Sequence, residues 1–183
     1  GGNGKTYIID AEPMMNTQFS CLDVIAAGDD HIFLDLVKGS EVRIQENDRS
    51  EGSIRTFKNF NYTIYVPTDE AMEALLSTGA LKTWEEIDEM REMEDIPEEM
   101  IQAEVDKINS FVRYHIQDNS VYVGKEFSLV HGVTLPEISR KYETALLNES
   151  LKFRVIQTQV SPEGITLTDE AGGKSEVITT PGN

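Results

Sequence analysis

Two hydrophobic periods divide this chain. In the first half apolar residues recur at three- and four-residue steps; in the second they alternate with polar residues. The first spacing marks amphipathic helices and the second half-buried strands. The longest helical stripe is Ile101, Val105, Ile108, Val112 and His115, with Phe111 beside it. Pro97 suits a first helical turn, so the spacing predicts a helix over 98–117 that covers a sheet. Shorter helices are predicted from Ser20 to Ala27, stopped by Gly28, and from His31 to Lys38, stopped by Gly39. The second of these turns Ile32, Phe33, Leu36 and Val37 inward. Thr83-Trp-Glu-Glu86 is a capping-box pattern, and the helix it opens carries Trp84, Ile87 and Met90 on one side.

Strand patterns fall at residues 5–10, at Val42 and Ile44, and at 121–123 and 127–130. They return at 142–147, 152–160, 165–168 and 175–179. Pro162-Glu-Gly164 and Gly172-Gly173 supply turns between the last ones. Helices gathered in one half and strands in the other predict an α+β fold rather than a doubly wound parallel sheet.

The stretch Asn61-Tyr-Thr-Ile-Tyr-Val-Pro-Thr-Asp-Glu-Ala-Met72 joins the two periods. It begins as a strand, expected to be central in its sheet, with Tyr62, Ile64 and Val66 on one face. Pro67 has no N–H for a ladder and ends it. Thr68 then stands at a helix N-cap, with Asp69 and Glu70 in the first turn against the positive end of the dipole. Leu75 and Leu76 continue the helix and Gly79 ends it.

Charge narrows the function classes. The formal net charge is −17 over 183 residues. Phosphate backbones and anionic membrane surfaces are repelled by such a chain, so no nucleic-acid partner and no membrane insertion are expected. Nine carboxylates crowd residues 84–99 against one arginine, which reads as a solvated face before it reads as a dock for a basic partner. Cys21 is the sole cysteine and lies at an apolar helix start, where a buried inert thiol is expected.

Candidate chemistry is sparse. His115 continues an apolar stripe, and no Gly-x-Ser-x-Gly elbow supplies a nucleophile for it. It is expected to be buried and hydrogen-bonded, with Thr68 or Asp69 as the proposed partner. His31 and His131 belong to no zinc-ligand spacing, so no metal site is assigned. The polar loop 45–58 holds Asn47, Asp48, Glu51 and Gly52 but lacks the spacing of a twelve-residue calcium loop. No phosphate-cradling motif is present, and no cofactor is expected. Asn61-Tyr-Thr63 and Asn148-Glu-Ser150 match the glycan acceptor pattern.

The twelve residues 61–72 resemble the first signature of fasciclin-type domains. Tyr114-His115 resembles that family's Tyr-His pair, and Lys141-Tyr-Glu-Thr-Ala-Leu-Leu147 its Thr-x-Leu strand. The resemblance spans about residues 18–180. It implies a wedge-shaped, mostly antiparallel sheet with helices packed on it. It also implies an extracytoplasmic, non-enzymatic module on a cell surface or secreted, of the kind found in bacterial tandem repeats and lipoproteins. The implied partner is an extracellular protein or glycan, met by Thr68, Asp69, Glu70, Tyr114 and His115. A structural spacer repeat and a hydrolase with an unrecognised site are the alternatives. Asn3-Gly-Lys-Thr-Tyr-Ile-Ile-Asp10 resembles the family's closing signature but stands at the beginning. Residues 1–16 are therefore expected to be a strand of a preceding repeat or of this domain, and 17–183 the domain itself. An edge left bare by a missing closing strand is expected to recruit residues 5–10, from the same chain or by exchange in a homodimer.

Overall fold

The computed structural model describes residues 25–42, 62–119, 121, 129–130, 133–134, 138–161 and 164–178. Among them the helices are α1 (Ile32–Gly39), α2 (Asp69–Ser77), α3 (Trp84–Glu92) and α4 (Glu98–Tyr114). The strands are β1 (Tyr62–Ile64), β2 (Ile116–Asp118), β3 (Leu129–Val130), β4 (Val133–Thr134), β5 (Ile138–Leu147), β6 (Phe153–Ser161), β7 (Gly164–Thr168) and β8 (Lys174–Val177). The expected features at 5–10, Ser20, Cys21, Ile44, 45–58, Asn61, 122–123, 127–128, His131, 162–163 and Thr179 lie outside the described residues.

Six strands form one antiparallel sheet in the order β1-β2-β5-β6-β7-β8, curled into a half-barrel, and β3 with β4 makes a separate two-stranded ribbon. The mixture of helix and antiparallel sheet is the α+β class that segregation of the two periods predicts. Most hairpins of the second half lie where alternation places them. Ser161 faces Gly164 across the β6–β7 turn, and Thr168 faces Lys174 across the β7–β8 turn. In that second turn Gly172 holds φ +90°, a conformation a side chain rarely adopts.

Four expectations are corrected. The helix predicted over 98–117 ends at Tyr114, and Ile116–Asp118 is strand β2. The apolar stripe runs on past the true end. Pairing with β1 decides the boundary, with Ile64 opposite Ile116 and Thr63 opposite Gln117. Strand β1 is short and stands at the end of the described strand order, not at its centre. Val42 is buried in a turn and not in a strand, directly after Ser40 closes α1 with two bonds to the Val37 carbonyl. Val121 also lies outside any ladder; its N–H is donated to Thr63 Oγ1 at 3.2 Å.

The local signals hold. Thr83 accepts from the Glu86 N–H, and the Glu86 carboxylate accepts from the Thr83 N–H at 2.8 Å, a complete capping box. Thr68 caps α2 by accepting from the Ala71 N–H at 3.3 Å. The helices bury their apolar stripes against one another and the sheet, in a core that includes Phe33, Leu36, Val37, Met72, Ile87, Ile108, Val112 and Ile116. Each such side chain, fully removed from water, contributes about 1.5–3 kcal/mol. Trp84 fastens α3 to α1. Its indole N–H is donated to the Leu36 carbonyl at 3.0 Å, and its ring lies so close to Gly39 that any Cβ there would overlap it. A second cluster, built on Ile156, Ile165 and Leu167, holds the outer strands.

Candidate functional site

The five residues singled out from the sequence stand at two helix ends. Thr68, Asp69 and Glu70 open α2, while Tyr114 and His115 close α4. Their elements meet where the chain runs from the end of β1 at Ile64 to the corner at Pro67. Tyr65 donates its N–H to the carbonyl of His115 at 2.9 Å, continuing the link between the two segments beyond the β1–β2 ladder. Thr63 reinforces the junction by donating its hydroxyl to the Asn119 carbonyl at 2.9 Å.

Helix α1 bridges the two ends through adjacent residues. The Ile32 N–H is donated to Asp69 Oδ1 at 2.9 Å, so the carboxylate that opens α2 also caps α1. The Asp69 N–H is in turn donated to Asp30 Oδ1 at 2.9 Å. Two helices thus exchange caps, each N-terminus held by the carboxylate that precedes or opens the other. Each carboxylate also meets the positive end of a helix dipole, an arrangement that contributes about 1 kcal/mol per cap. One residue along, the Phe33 ring lies 5.4 Å from the His115 ring, which also packs on Phe111 at 4.3 Å.

His115 does not bond Thr68 or Asp69, as the sequence suggests it should. Its Nδ1 lies 2.8 Å from the Phe111 carbonyl, one turn back on its own helix. A carbonyl only accepts, so Nδ1 carries the proton and Nε2 keeps the lone pair in the neutral ring. A carbonyl four residues back is available without any tertiary fit, and Thr68 and Asp69 already serve backbone N–H groups. Burial pushes the imidazole pKa below 6.5, and the bond to Phe111 offsets only part of that. The ring is therefore neutral at physiological pH.

Tyr114 faces the sheet instead. Its hydroxyl is donated to the Val155 carbonyl of β6 at 3.3 Å, and burial raises its pKa. Beside it, Glu170 accepts from the Val155 N–H at 3.0 Å and from Arg154 at 2.7 Å, which together lower its carboxyl pKa. Glu70 alone among the five candidates is exposed. The other four are partly buried, and each has a side-chain contact inside the molecule.

Sequence reasoning misses a buried polar group on the sheet. Gln117 is fully buried, and its Oε1 accepts from the Tyr65 hydroxyl at 3.0 Å and from Thr158 Oγ1 at 3.2 Å. Burial pushes the Tyr65 phenol up to about 12, so it stays a donor. Among the described residues Gln117 Nε2 has no hydrogen-bond partner. The reading of 98–117 as one helix hides this residue, which strand β2 turns to the face opposite Ile116, toward Tyr65 and Thr158. Asp30 is missed for a different reason: it lies one residue before His31, the N-cap of α1, and nothing in the sequence marks it as serving α2.

Among the described residues no group of three or more His, Cys, Asp or Glu side chains is placed to hold a metal ion, and no helix is long and apolar enough to cross a membrane. The chain matches no family model, no curated protein and no solved structure.

Proposed function

We propose that this chain is a non-enzymatic binding or adhesion module of the fasciclin type, displayed outside the cytoplasm at a cell surface or in the extracellular matrix, with a protein or glycan as partner. The observation that supports it most is the bond from Tyr65 N–H to the His115 carbonyl. It joins two of the stretches that carry the family resemblance, 61–72 and 114–115, which lie about fifty residues apart, into one corner. The chemistry at that corner supports binding over catalysis. Among the described residues, the neutral imidazole packed on the Phe33, Phe111 and Tyr114 rings has no nucleophile to activate and no carboxylate to orient it. Of the five candidate residues at this corner, Glu70 is the one exposed to water.

The test is a glycan array and a pull-down against matrix proteins, run with the wild type and Glu70→Lys. A bound partner whose affinity drops about tenfold with the variant supports this reading, as expected for a charge at the edge of a contact. Blank results in both assays overturn it in favour of a spacer repeat. That second reading has its own support: the polar atoms of Thr68 and Asp69 are taken up by helix caps.

A further inference from the structure

Helix α4 uses two sides. Ile101, Ile108 and Val112 are buried in the core. Asp106, Asn109, Ser110 and Arg113 recur at steps of three and four and so share another side of the helix. They line an open cleft of about 310 Å³ together with Leu146 and Leu147 of β5 and with Glu41, which follows α1. Its walls come from three separate stretches of chain, so no local pattern in the sequence announces it.

The charged groups of the cleft are already engaged. Arg113 Nη2 donates to Glu41 Oε2 at 3.0 Å, and Asp106 Oδ1 accepts from Gln102 Nε2 at 2.8 Å. An anion bound there would meet two carboxylates, and a cation would compete with Arg113 for Glu41, so a net charge on the ligand gains little. The same bonds hold the side chains in place, and less freedom is lost when a ligand arrives. Asn109 is fixed as well: it is buried, and its Oδ1 accepts from the Glu41 N–H at 3.0 Å. Among the described residues nothing accepts from its Nδ2, and the Ser110 hydroxyl beside it can both give and accept.

We infer that this cleft takes one neutral sugar unit of a glycan. A sugar ring joins several hydroxyls, each both donor and acceptor, to an apolar face of C–H groups. Carboxylate, amide and guanidinium are planar groups that can meet neighbouring hydroxyls two at a time. Asp106, Asn109 and Arg113 supply one of each, and Leu146 and Leu147 supply the apolar side. The volume lies at the lower end of small-ligand sites, which suits a single ring at a chain end and not an extended glycan. The inference takes glycan as partner class from the function proposed above and rests on that reading to this extent. It places the contact elsewhere, since none of the five candidate residues at the Pro67 corner lines the cleft.

Amide NMR titration of the whole chain tests it, with the methyl glycosides of glucose, galactose, mannose and N-acetylglucosamine added in turn. At least one is expected to give saturable shifts gathered at 106–113 and 146–147, with a Kd of about 1–20 mM, the range of a small ligand held by a few hydrogen bonds. Asp106→Ala removes the carboxylate, and Ser110→Leu places an apolar side chain in the cleft. Each is expected to weaken that binding by at least about fivefold. Unchanged thermal midpoints would show that each variant folds; Asp106 is exposed, so its variant keeps the test open if Ser110→Leu does not fold. Sugars that shift no amide around the cleft overturn the inference, and so do shifts that persist in Asp106→Ala. A partner whose affinity depends on Glu70, with no sugar shifts at the cleft, sinks the cleft alone. Sugar shifts lost in Asp106→Ala, with no Glu70-dependent partner, support the cleft and sink the corner.

Discussion

The helical half and the outer half of the sheet are held together by different means. Around the helices, thirteen described apolar side chains form one buried cluster, and Phe33, Ile87, Ile108 and Val112 are wholly shielded from water. Across β6, β7 and β8 the buried apolar cluster is Ile156, Ile165 and Leu167, each with 7–8% exposure. There the ladder itself and the turn bonds at Asp169 do most of the holding. Burial is non-directional and cumulative, while a ladder of local hairpins opens rung by rung. The difference therefore predicts that the two halves have unequal local stability.

Phe33→Ala tests the stronger half. It removes a fully buried ring from the core and from the His115 stack, and should cost about 3–5 kcal/mol by denaturant unfolding. A loss below 1.5 kcal/mol would show that α1 contributes little to the core. Leu167→Ala tests the weaker half and should cost about 2 kcal/mol, near the lower limit for its class because the side chain is not wholly enclosed. Hydrogen exchange separates the two: amides of β7 and β8 should lose protection while those of α4 keep theirs. Equal loss in α4 would break the comparison and make the molecule one cooperative unit.

Asp69→Ala should cost about 1 kcal/mol, since it strips the cap from α1. Asp30→Ala should cost a similar amount through α2, and the double variant should depart from additivity because both caps sit at one junction. The smallest effect is on pH dependence. His115 has a lower pKa in the fold than in the unfolded chain, so the unfolded state takes up the proton first. Stability should therefore be complete above the ordinary imidazole value of 6.5 and fall as pH drops below it, by no more than about 1.4 kcal/mol per pH unit. The slope should shrink in His115→Leu; an unchanged slope would mean that other groups cause it.

What was legible in the sequence was local. Thr83 and Glu86 sit three residues apart and bond each other, so their pattern states their geometry. Pro67, Thr68 and the alternation of β6 and β7 speak in the same way. What was hidden depended on partners far along the chain. The stop of α4 at Tyr114 has no glycine or proline to announce it, and is set by Ile64 and Thr63, more than fifty residues earlier. Asp69 could be read as a first-turn acid but not as the cap of α1, and Asp30 gives no sign that it serves α2. His115 shows the opposite case: the sequence suggests a distant partner at Thr68 or Asp69, and the bond goes to the nearby Phe111 carbonyl.

The close seat of Trp84 on Gly39 gives the molecule a built-in optical gauge. Trp84 is the chain's single tryptophan, and its indole is hydrogen-bonded to α1 while its ring rests on that helix. All indole emission therefore comes from the α1–α3 seam. A shift to longer wavelength during unfolding would time the parting of those two helices alone, with no signal from the hairpins on the far side of the sheet.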